Sequence, residues 1–135
     1  MEKLHIDQTP NTPLIICDAN ANSIRIEGES RPENVRAYYS NLFEWIDSYE
    51  KLIYYAVSLS SNEKIIELNF KLEYFNSSSL KIFMEVIDRL QKIEKGSDKI
   101  TLSINWFYAE DDEDILDSGK EFEKMTGAKM NFISY

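Results

Sequence analysis

Few side chains in this chain are suited to catalysis, and their spacing limits what they can do. His5 is the only histidine and lies beside the N-terminus, so a Ser-His-Asp or Cys-His site would need that one residue carried across the fold. Cys17 sits in an apolar run with nothing cationic nearby in sequence to lower its pKa, and it reads as a small core residue. A single Cys and a single His exclude a structural zinc site, and there is no glycine-rich phosphate loop. The one concentration of metal-type ligands is Glu110, Asp111, Asp112, Glu113 and Asp114, with Asp117 beyond them. Consecutive acids point in different directions, and the twelve-residue calcium loop with its central glycine is missing. The same acids suit the positive end of a helix dipole, so no metal and no other cofactor is expected here.

The remaining chemistry is a run of hydroxyls, Tyr74-Phe75-Asn76-Ser77-Ser78-Ser79, placed where a strand stops and a helix begins. Asn and Ser cap helices well, which is reason enough for their presence. A hydroxyl held there is also a good phosphorylation site, because a helix start offers free amides and a positive dipole to a phosphate. Modification would cost the fold little and would change what the surface can dock against.

The elements that position this segment follow from hydrophobic spacing. Lys3 to Ile6, Leu14 to Cys17 and Ser23 to Glu27 read as short strands, the last two joined by the turn DANAN. In GESRPEN, Ser30 with Glu33 three residues later has the spacing of a capping box, and Pro32 suits a first helical turn. Val35, Tyr38, Tyr39, Leu42, Phe43, Ile46, Tyr49 and Ile53 then recur at helical spacing, with the end of that helix left open between Leu52 and Leu59. Ile66, Leu68, Phe70, Leu72 and Tyr74 alternate with Glu67, Asn69, Lys71 and Glu73, as in a strand with one buried and one wet face. Ile100, Leu102, Ile104 and Trp106 repeat the pattern, and a helical run with Leu80, Phe83, Met84, Ile87 and Leu90 inward lies between. A strand, helix, strand unit of this kind implies a right-handed parallel crossover. A last helix from about Asp112 to Thr126, stopped by Gly127, and a short strand from Lys129 to Ser134 complete an α/β fold. It is expected to be a mixed β-sheet with helices mainly on one face, with Phe70, Leu72, Phe83, Ile87, Leu90, Leu102 and Ile104 in the core.

Composition bounds the class. At 135 residues, 43% hydrophobic and with only 4 Gly and 3 Pro, residues 1 to 135 are expected to form a single domain. With 15 basic and 24 acidic residues the net charge is −9, which disfavours nucleic acid and anionic membranes as partners. No apolar run approaches the ~20 residues needed to span a bilayer, the N-terminus lacks a secretory signal, and one cysteine cannot pair internally. The cytoplasm is the expected compartment.

Several segments together resemble a known family. Thr9 with Thr12-Pro13, Gly28-Glu29-Ser30-Arg31-Pro32-Glu33-Asn34, the Tyr74 to Ser79 run, Trp106 with Tyr108, and Asp112-Glu113-Asp114 ahead of Gly119 resemble the SiaC-type bacterial regulatory phosphoproteins. The resemblance implies a fold related to the STAS domains of anti-sigma-factor antagonists, with a phosphorylated Thr or Ser at a strand-to-helix junction. Carried onto this chain, the phosphoacceptor is Ser77, preceded by Asn76, with Ser78 and Ser79 left open as further acceptors. It also implies partner switching without catalysis. A kinase with a histidine-kinase-like ATPase fold adds the phosphate and a PP2C-type phosphatase removes it. The unphosphorylated form activates an effector such as a diguanylate cyclase, with biofilm regulation as the output. Two rivals remain: a constitutive adaptor whose serines only cap a helix, and a metal-dependent enzyme using residues 110 to 117.

Overall fold

The computed structural model describes residues 1–135. Its strands are β1 (Leu4–Ile6), β2 (Leu14–Asp18), β3 (Ser23–Ser30), β4 (Lys64–Phe75), β5 (Ile100–Tyr108) and β6 (Met130–Ser134). Its helices are α1 (Val35–Leu59), α2 (Ser77–Lys95) and α3 (Glu113–Thr126). The strands form one sheet in the order β1-β2-β3-β4-β5-β6, antiparallel from β1 to β3 and parallel from β3 to β6. Because the parallel strands advance in one direction, crossovers of the same right hand lay all three helices on the same face. The expected mixed sheet with helices on one face is the fold observed. No helix is long and apolar enough to cross a membrane.

Local chemistry explains most element ends. In the DANAN turn, Asp18 Oδ1 accepts from Asn20 N at 3.0 Å, and Asn22 takes the left-handed φ of 52° that asparagine tolerates. Gly127 ends α3 with φ 71°, as a left-handed cap requires. The expected cap of α1 is displaced. Ser30 belongs to β3, and Asn34 is the residue whose Oδ1 accepts from Ala37 N at 3.1 Å, so the Ser30/Glu33 capping box does not form. Asn34 caps the corresponding amide of a helix that starts four residues later, leaving Ser30 free to turn inward. α1 then runs unbroken to Leu59.

The inner face of the sheet and the helices form one core. Phe70, Leu72, Phe83, Ile87, Leu90 and Ile104 are buried as expected, whereas Leu102 is half-buried at its margin. The alternation of β4 breaks near its end: Gly28 pairs with Leu72 but Glu29 with Tyr74, so Glu73 is an extra residue in the ladder. An extra residue reverses the phase of everything after it. Tyr74, expected inward, therefore lies on the outer face, 47% exposed, and Phe75 turns in against Phe83, Trp106 and Phe122. The opposite sheet face is polar. There Asn69, Asn105 and Asn131 stand in register across three strands, Asn105 Nδ2 donating to Asn69 Oδ1 at 2.8 Å and Asn131 Nδ2 to Asn105 Oδ1 at 3.0 Å.

Trp106 anchors α3. Its Nε1 donates to Ile115 O at 2.8 Å, and a Cβ added to Gly119 would sit 2.6 Å from the indole. Helix propensity alone would make Gly119→Ala stabilising by about 1 kcal/mol. Trp106 is fully buried and has no room to retreat, so overpacking outweighs propensity, and the substitution is expected to cost ~1–3 kcal/mol. An unchanged or raised urea midpoint would contradict this packing. Truncating Phe83 or Leu90 to Ala should cost ~2–5 kcal/mol in the same measurement.

Candidate functional site at the ends of β3 and β4

β3 and β4 both end at the same edge of the sheet, and α1 and α2 start there. Strand ends that feed helices in an open parallel sheet are where such folds place their functional residues. At this edge Ser30, the last residue of β3, pairs with Phe75, the last of β4. Asn76 caps α2, its Oδ1 accepting from Ser79 N at 3.0 Å, and Asn76 N donates to Ser30 O at 3.2 Å.

Ser30 and Ser79 are fully buried and meet through their hydroxyls at 2.7 Å; Ser30 Oγ also lies 2.6 Å from Tyr39 OH. The proton order follows from counting hydrogens. Ser79 Oγ donates to Ser30 O at 3.0 Å, which uses its only proton. Ser30 must then donate to Ser79 Oγ, and Tyr39 must donate to Ser30. The result is a one-way chain from Tyr39 through Ser30 and Ser79 to the Ser30 carbonyl. Burial pushes the Tyr39 phenol well above its ordinary pKa, which keeps its proton available to donate. The chain ties α1, β3 and the first turn of α2 together.

These contacts sort the candidate hydroxyls. Ser77 and Ser78, the first two residues of α2, are exposed. Ser79, left open beside Ser78 as a further acceptor, is closed off from solvent by burial and by its two hydrogen bonds. Capping of α2 is done by Asn76, so the Ser77 hydroxyl is not needed for it. Sequence reasoning missed Tyr39, which it read only as core, and misassigned Ser30 as a helix cap. The available signal was that Ser30 and Ser79 both fall in segments that carry the family resemblance. It also placed Tyr74 inward. Tyr74 is instead an exposed ring carrying the Arg31 guanidinium, with Arg31 Cζ 5.4 Å from the ring centroid.

The other candidates sit apart from this junction or serve as caps. Burial pushes the Cys17 thiol up to about 12, so it stays protonated and unreactive. His5 is exposed beside Asp7, 2.9 Å away. Asp112 caps α3, its Oδ1 accepting from Ile115 N at 3.0 Å, with Glu113 and Asp114 in the first turn, as the helix-dipole reading expects. No three His, Cys, Asp or Glu side chains converge as metal ligands.

A family model described as the SiaC family regulatory phosphoprotein matches residues 6–135. The chain belongs to the SiaC family. Its relatives include an uncharacterized protein of Pseudomonas aeruginosa strain UCBPP-PA14, 28% identical over 124 residues, a match covering 92% of this chain and 90% of that protein. The apo-SiaC crystal structure from Pseudomonas aeruginosa superposes with a TM-score of 0.77 at 26% identity, covering 99% of this chain and 98% of that one. SiaC in the crystal structure of the Pseudomonas aeruginosa diguanylate cyclase SiaD with its activator SiaC gives a TM-score of 0.80 at 25% identity, covering 98% and 99%. The SiaC fold thus accounts for the whole sheet and all three helices of this chain.

The hydroxyl chain makes a prediction independent of function. Ser30→Ala leaves the buried Tyr39 hydroxyl without its acceptor, and Tyr39→Phe removes the donor. Each should cost ~1–3 kcal/mol in urea denaturation, and the double variant should cost less than their sum, because removing both partners leaves no orphan between them. Strict additivity would show that the two hydroxyls do not depend on each other.

Proposed function

We propose that this chain is a partner-switching regulator whose state is set by reversible phosphorylation of Ser77. It acts by binding rather than by turnover, as one domain in the cytoplasm, where its lone cysteine stays a thiol. The observation that carries the reading is an exposed hydroxyl, not needed for capping, on a helix start clamped from below by a buried hydroxyl chain. Membership of a regulatory phosphoprotein family supports it. A kinase with a histidine-kinase-like ATPase fold moves the terminal phosphoryl of ATP onto Ser77 Oγ, releasing ADP and the hydroxyl proton. A PP2C-type phosphatase hydrolyses the ester back to serine and inorganic phosphate. The unmodified form binds and activates an effector, by analogy with the solved SiaC a diguanylate cyclase.

The physics favours control of binding rather than of folding. Asn76 and the hydroxyl chain already satisfy the junction, so a phosphate on Ser77 breaks no buried bond. The free amides and dipole of the first turn of α2 accommodate it. It adds about 1.5–2 negative charges to a surface that already carries the acidic start of α3 along the same edge. An unpaired charge at the centre of a contact can cost several kcal/mol. Ser77→Ala should resist the cognate kinase and keep effector capture in a pull-down, whereas protein phosphorylated at Ser77 should lose capture by orders of magnitude. Equal capture by both forms, or undiminished labelling of Ser77→Ala, would overturn the reading.

A further inference from the structure

Arg31 follows the last residue of β3, and because Ser30 pairs with Phe75 it lies alongside Asn76, the neighbour of Ser77. Its backbone is pinned, Arg31 N donating to Asn11 O at 2.9 Å. Its side chain is not: half-exposed, it rests on the Tyr74 ring and holds Glu29 through one contact, Nη2 to Oε2 at 2.8 Å. An exposed single contact between a guanidinium and a carboxylate is weak, because water solvates both ions almost as well as they solvate each other. A phosphate dianion carries more charge than a carboxylate and offers three oxygens to the planar fork of an arginine.

We propose that Arg31 is the receptor within this chain for a phosphate on Ser77, exchanging Glu29 for the phosphoserine dianion while its guanidinium stays on Tyr74. The proposal rests on the reading of Ser77 as phosphoacceptor. The bulge at Glu73 is what makes it possible. In an unbulged strand, with Glu73 paired in the ladder, Tyr74 would alternate into the core, and the guanidinium would have no exposed ring to rest on beside the site. The exchange would leave Glu29 without its partner next to a newly occupied Arg31. The Tyr74 face would thereby change from a paired cation and anion to a surface of net negative charge. The switch would be read inside the chain before any effector meets it.

The surrounding charges define the test. Glu29, Glu33 and Glu73 lie near Arg31 in sequence or across the ladder, Glu113 and Asp114 open α3 on the same edge, and Lys81 stands one helical turn after Ser77 on the same helix. Phosphoserine can be incorporated at position 77 during translation, which removes any need for the kinase. The second ionisation of the phosphate, ordinarily near pH ~6, is then followed by 31P NMR at low salt. In the otherwise unaltered protein its midpoint should lie about half a pH unit or more below that of Arg31→Gln, with Arg31→Lys between them. The displacement should survive Lys81→Gln. Equal midpoints with and without Arg31, or a displacement abolished only by Lys81→Gln, would overturn the proposal. Arg31 is surface-exposed, and unchanged circular dichroism and urea midpoints check that its variants remain folded. Effector capture by the same phosphoserine protein separates the two ideas. Retained capture with a displaced midpoint removes the switching function alone, and lost capture with equal midpoints removes the role of Arg31 alone.

Discussion

Three hydroxyls sealed from water must satisfy one another, and much of the molecule is arranged around that requirement. Tyr39, Ser30 and Ser79 have between them three protons to donate, and the chain ends on the Ser30 carbonyl, which also accepts from Asn76 N. A buried hydroxyl without a partner costs on the order of 1–3 kcal/mol, so the three are stable only when α1, the end of β3 and the first turn of α2 occupy one relative position. The exposed residues that follow in α2 inherit that placement. Ser77 stands on a fixed platform although its own side chain makes no contribution to it.

Around this junction the apolar core supplies the driving force, and the polar bonds supply the specificity. Phe70, Phe75, Phe83, Trp106 and Phe122 pack edge to face or tilted, with Tyr39 against Phe83, so the aromatic layer extends directly up to the hydroxyl chain. α3 joins through Trp106 and the missing side chain of Gly119. Arg36 on α1 holds Glu85 on α2 with two hydrogen bonds, and these keep the Glu85 carboxyl below its usual pKa. The two helices that begin at the functional edge are thus joined on the surface as well as in the core. The contribution of that contact to stability is full above the ordinary carboxylate pKa and is lost as pH falls through the lowered pKa of Glu85.

Such an arrangement suits a protein that signals by being recognised. The hydroxyl chain and the aromatic core are inside, and the Ser77 hydroxyl is outside. A helix start capped by a separate asparagine leaves the next serine without a structural duty, so modification can alter the surface and leave the fold in place. The acidic start of α3, on the same edge, gives that end of the sheet a negative background. The membership of the chain in a regulatory phosphoprotein family fits this division of labour.

Periodicity in the sequence determined a great deal. The alternation in β4 and β5, the apolar stripes of the three helices and the terminating Gly127 each depend on residues a few positions apart, where local sterics and burial dominate. The strand-to-helix junction at Asn76 was legible for the same reason. Other features were decided only by the tertiary structure. Whether Ser30 capped a helix or turned inward depended on Tyr39 and Ser79, the latter 49 residues away, and Asn34 served equally well as a cap. The reversal of Tyr74 and Phe75 came from Glu73 lacking a partner on β3, a matter of register between strands that no single strand's pattern records. Local rules set which elements form, because their energies are summed over neighbours in the chain. The site lies where distant segments must satisfy one another's buried groups, and that bookkeeping closes only in the folded protein.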